Sequence, residues 1–121
     1  MRAPEPLRGP MKITEYHAHV YYDVLTRPTA LEMQQELTKR YGNLTRVSHM
    51  FDRLAGPHTQ MMFEIDFAPD LLTTVLPWLM LNHGIHSILI HPVTGNERLD
   101  HLHHGLWLGA VLALDESKLE D

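Results

Sequence analysis

The chain contains no cysteine, and that one absence removes disulfides, thiolate-ligated zinc, iron–sulfur clusters and thiol nucleophiles together. It also lacks any run of about 18 apolar residues and any signal-peptide pattern. No membrane partner is therefore expected, and the expected location is the cytoplasm. Positive charge is in the minority: ten Lys and Arg stand against 15 Asp and Glu, a formal charge of -5. Without a basic footprint, nucleic acid is not an expected partner. The 121 residues suffice for one domain with its own core but not for a separate cofactor domain.

What the chain has in excess is histidine, with ten residues scattered from His17 to His104. Histidine is the commonest transition-metal ligand and the usual acid–base group near neutral pH. His83, His86, His103 and His104 read as surface residues. The others fall in segments with a definite pattern.

Residues 1–11 hold little to bury and read as a flexible tail; residues 12–115 form the domain, and 116–121 a charged, solvated end. From Ile13 to Asp23, β-branched and aromatic residues favour a strand. Its alternation puts Tyr16, Ala18, Val20 and Tyr22 on one face and His17, His19 and Tyr21 on the other. Thr26 and Pro28 start a helix carrying Ala30, Met33, Leu37 and Tyr41 on one side, and Gly42 stops it. A second strand is expected over Thr45 to Arg53 and a third over Gln60 to Phe67. A second helix follows from Pro69 to His83, with a kink or early break at Pro77. Ser87 to His91 reads as a strand closed by Pro92, and Trp107 to Leu114 as a last strand after a polar loop.

The order is β-α-β-β-α-β with an added C-terminal strand, the ferredoxin-like α+β sandwich. In that topology the first and third strands are central neighbours, and the fourth flanks the first. Placing Ala18, Val20, Phe63, Ile65, Ile88 and Ile90 toward the helices leaves His17, His19, Glu64 and His91 on the opposite face. His58, at the start of the third strand, shares the parity of Glu64. A one-residue slip would reverse every assignment.

Three imidazoles, or two with a carboxylate, hold a divalent first-row metal while leaving coordination positions open. Taken singly, His17-Ala18-His19, His91-Pro92 and Glu64 beside Asp66 are ordinary strand features. Their joint placement favours a metal site. Asp100-His101, read as a loop pair, offers an acid–base histidine nearby.

The string Tyr16-His17-Ala18-His19-Val20-Tyr21-Tyr22 resembles the DOPA 4,5-dioxygenase family. So do Gly56-Pro57-His58 followed by Glu64, His91-Pro92-Val93-Thr94, Asp100-His101 and Trp107-Leu108-Gly109. The resemblance spans Tyr16 to Gly109. It implies a ferredoxin-like homodimer that uses Fe(II) and dioxygen for extradiol cleavage of a catechol such as DOPA, giving a ring-opened semialdehyde. It further implies His19, His58 and His91 as leading metal ligands, with His17 and Glu64 competing for a position and His101 suited to acid–base work. The alternatives are a Zn or Mn hydrolase or isomerase built on the same histidines, and a dimeric module that binds a small ligand or metal without turnover.

Overall fold

The computed structural model describes Leu7, Gly9 and residues 11–120; the expected tail falls largely outside the described residues. The alternating segment forms β1 (Glu15–Tyr22). Asp23 and Thr26 then bond reciprocally, each backbone N–H donating to the other's side-chain oxygen at 2.9 Å. This turn launches α1 (Arg27–Tyr41), with Pro28 in its first turn and Ala30, Met33 and Leu37 buried. Gly42 ends α1 in a right-handed conformation; a Cβ there would strike the carbonyl of Thr38. Close approach, not a positive φ, requires glycine.

The second strand is shorter than its sequence suggests. Only β2 (Arg46–Val47) pairs with β3 (Met61–Phe67) before the ladder is interrupted. The cause is Ser48, whose hydroxyl accepts the Glu64 N–H at 2.8 Å. Pairing resumes only at Phe51, opposite Met62. A single 3₁₀ turn (Pro69–Leu71) leads into α2 (Leu72–Asn82). The helix runs through Pro77 without the early break expected. Pro77 deprives only the Thr73 carbonyl of its partner, and both residues are exposed, so water can satisfy that group.

β4 (Ile88–Val93) continues past His91 through Pro92. The expected polar loop contains a short helix, α3 (Glu97–Leu102), capped by the Asn96 side chain on the Leu99 N–H. β5 (Leu106–Leu108) is much shorter than the strand expected over Trp107 to Leu114. Gly109 ends it with φ +73, where a Cβ would lie 3.1 Å from the His86 carbonyl oxygen. The chain therefore turns away from the sheet.

The five-stranded sheet has the order β2-β3-β1-β4-β5 with every pair antiparallel. The expected strand neighbours and facing are both found. Ala18, Val20, Phe63, Ile65, Ile88 and Ile90 pack with Met33, Leu37, Val75 and Leu79 from the helices. Burying side chains of this size supplies roughly 1.5–3 kcal/mol each, and the main core lies here.

The opposite face is not left bare. Tyr21, Met62 and Leu89 form a second cluster beneath Phe51, Ala55, Trp107, Leu112 and Leu114. The segment after β5 thus folds over one end of that face. Asp115 N–H donates to the Pro57 carbonyl at 2.7 Å, and Thr59 Oγ1 to that of Ala113 at 2.6 Å, which fixes the loop carrying His58. The charged end is not wholly solvated either, since Leu119 is buried.

Candidate metal centre

Strand register brings the histidines together. In β1, His17 lies opposite both Asp66 of β3 and His91 of β4, while His19 lies opposite Glu64 and Leu89. His58 enters from the loop before β3, with its ring centroid 4.2 Å from that of His19. His101 comes from α3, with its centroid 4.1 Å from that of His91. His19, His58 and His91 are each at most 5% exposed, and His101 is half-buried. The ligand atoms of His19, His58 and His101 lie within 4.8 Å of one another, as do those of His17, His19 and His91. His19 belongs to both sets.

The hydrogen bonds decide which nitrogens face inward. His91 Nδ1 donates to the Pro92 carbonyl at 2.9 Å, and His101 Nδ1 to the Glu97 carbonyl at 2.7 Å. Because a carbonyl only accepts, both rings carry their proton on Nδ1 and present a lone pair at Nε2. His58 Nδ1 is bonded to the buried Tyr21 hydroxyl at 2.7 Å. His19 Nε2 lies 3.0 Å from His91 Nε2. Two nitrogens about 2.1 Å from one ion and roughly at right angles stand about this far apart.

His19 Nδ1 is buried without a hydrogen-bond partner. It lies 3.3 Å from Glu64 Oε1, where a small rotation would give the carboxylate–histidine pairing that orients metal ligands. An orphaned nitrogen on one side of the ring and a facing imidazole on the other fit a group that draws His19 Nε2 away from its neighbour. The buried histidines can hold a metal ion.

Electrostatics agree. Burial, reinforced by the neighbouring histidines, holds His19 well below the usual imidazole range. Burial and His101 bring His58 to about 4 and His91 to about 3. The rings are therefore neutral at physiological pH, the form that binds metal. Burial, with Asp66 and Glu15 nearby, pushes Glu64 up to about 9.

His17 stands apart from this group. Its Nε2 is 2.7 Å from Glu15 Oε1 and 3.5 Å from Asp66 Oδ1, and Arg46 crosses the same carboxylates. Asp100 does not orient His101, and neither is on a loop. Both sit on α3, where the buried Asp100 accepts from the Thr94 N–H, the Thr94 hydroxyl and His104 Nδ1 at 2.7–2.9 Å. His104 is thus a clamp on the β4–α3 connection, not a chance surface residue. His86 is likewise buried, bonded to Thr29 Oγ1 and the Tyr21 carbonyl. Sequence reasoning passed over Tyr21 as a partner of His58. Its shared parity with His19 was the available signal.

The model of the Dopa 4,5-dioxygenase family matches residues 16–118. The chain belongs to this family. Among the family's proteins, a DOPA 4,5-dioxygenase of Amanita muscaria is 28% identical over 115 residues, covering 89% of this chain and 50% of that protein. An uncharacterized 21.2 kDa protein of Botryotinia fuckeliana is 29% identical over 113 residues, covering 84% of this chain and 61% of its own length. The chain thus spans half to three fifths of these fungal relatives. A crystal structure from Nostoc punctiforme, described as that of a candidate dioxygenase, superposes with a TM-score of 0.82 at 40% identity, over 87% of this chain and 90% of the other. No helix among the described residues is long and apolar enough to cross a membrane.

Proposed function

We propose that this protein is a non-haem Fe(II) extradiol dioxygenase that opens the ring of a catechol, with dioxygen as co-substrate, to give a semialdehyde. The observation carrying this reading is the meeting of His19, His58, His91 and His101 with at least two Nε2 lone pairs turned inward by backbone carbonyls. Family membership supports the dioxygenase class, and an all-imidazole donor set without thiolates suits iron. When bound, Fe(II) supplies one centre at which both catechol oxygens and dioxygen assemble.

The chain's own residues do the rest. His19, which shares both donor sets, holds the ion with His58 and His91, all borne on or beside the sheet. Tyr21 and the Pro92 carbonyl keep His58 and His91 from turning. Glu64 orients His19. His101, half-exposed on α3, faces the substrate side and accepts a catechol proton at Nε2, its Nδ1 being committed to Glu97. That Nε2 is also near enough to serve as a further donor. The second cluster around Tyr21 and Leu89 excludes water from behind the histidines.

The test is anaerobic loading with Fe(II), then addition of oxygen and catechols including DOPA, followed by absorbance for a coloured semialdehyde and by oxygen uptake. Turnover that persists in the presence of a strong iron chelator, or without oxygen, ends this reading. The reading includes a homodimer, which light scattering measures.

A further inference from the structure

A cavity of about 280 Å³ opens beside the histidines, between His17, His91 and His101 on one side and Val93, Gly95 and Glu97 on the other. It lies at the small end for ligand sites, with room for one ring and a short substituent. Asp100 completes its lining, and no lysine or arginine does.

Charge in and around this cavity is of one sign. Against the upward pull of burial, hydrogen bonds from Thr94 and His104 hold the Asp100 carboxyl below its usual range, so it is ionised. Glu97 lies in the first turn of α3, at the rim. The basic residues of the adjoining elements are committed elsewhere. Arg46 pairs with Glu15 and Asp66, while Arg98 reaches Glu116 and the Leu119 carbonyl. A carboxylate entering here meets like charge and no cation among the described residues. An ammonium meets carboxylates in a partly dried pocket, where Coulomb attraction is stronger than in water.

On the catechol reading above, we propose that this cavity selects catechols whose ring substituent ends in a cation, an ammonium above all, over those ending in a carboxylate, with Glu97 as the residue that sets the preference. Such discrimination combines attraction to one partner with repulsion of its rival.

The test uses three catechols of similar size: dopamine, neutral 4-ethylcatechol and 3,4-dihydroxyphenylacetate. Each is titrated calorimetrically into the Fe(II)-loaded protein under argon, so that affinity is read without turnover. Dopamine is expected to bind roughly three- to tenfold more tightly than 4-ethylcatechol, as one favourable charge contact allows, with 3,4-dihydroxyphenylacetate the weakest. Glu97→Gln should draw dopamine toward the neutral compound. Equal affinities, a reversed order, or a dopamine preference that survives Glu97→Gln would each overturn the proposal while leaving the catechol reading intact. Failure of all three to bind ends the catechol reading and this inference with it.

Discussion

The Nε2 atoms of His19 and His91 face one another 3.0 Å apart although 72 residues separate them, and the ring of His91 is anchored by the carbonyl of the proline that follows it. Two buried imidazoles aimed at a common point imply that removing either disturbs whatever they share. His19→Ala is expected to lower retained iron at least tenfold after gel filtration, and His91→Ala to lower it by a similar factor, with circular dichroism unchanged. Full iron content in both variants would show that these rings are not its ligands.

Tyr21 reaches His58 Nδ1 with its hydroxyl at 2.7 Å and is stacked on Trp107 at 5.7 Å. Tyr21→Phe keeps the stack and removes only the hydrogen bond. Loss of such a partner typically costs 10- to 100-fold in metal affinity. Competition against a chelator should find a drop of that order, with little change in melting temperature. A variant that binds metal as tightly as the parent would assign the tyrosine to packing alone.

Replacement of His101 separates holding the ion from moving the proton. His101→Gln is expected to keep most of its iron, because the other three imidazoles are borne on or beside the sheet, and to lose roughly 10²- to 10⁴-fold in kcat. An iron content as low as that of His19→Ala would instead make His101 a principal ligand.

The metal-free protein should be sensitive to acid. His58 and His91 have folded-state values of about 4 and 3 against an ordinary 6.5, so between those limits the unfolded chain binds more protons than the folded one. Stability therefore rises with pH through that window and is fully present above about 6.5. Each unit of lowering corresponds to about 1.4 kcal/mol. Urea midpoints of the metal-free protein are expected to fall steadily from pH 7 to pH 5, and less steeply in a His58→Gln variant. A flat profile would contradict the buried, neutral state of these rings.

Much of this architecture was legible beforehand. Alternation along β1 and β3 reports which side chains are buried, and the sheet cannot slip by one residue without exposing Phe63 and Ile65. The element order then placed His17, His19, Glu64 and His91 on one face. The misreadings have local causes. Ser48 diverts a ladder hydrogen bond, Gly109 turns the chain away, and Asn96 caps a helix too short for periodicity to reveal.

The sequence by itself determined the two sheet faces, the strand neighbours and the family, because period-two burial and short motifs are properties of consecutive residues. Only the tertiary structure decided which nitrogen each histidine turns inward, that Asp100 serves Thr94 and His104 instead of His101, and that Leu112 and Leu114 close one end of the sheet face. Those outcomes depend on carbonyls, hydroxyls and apolar side chains supplied by distant segments, whose positions no local pattern encodes.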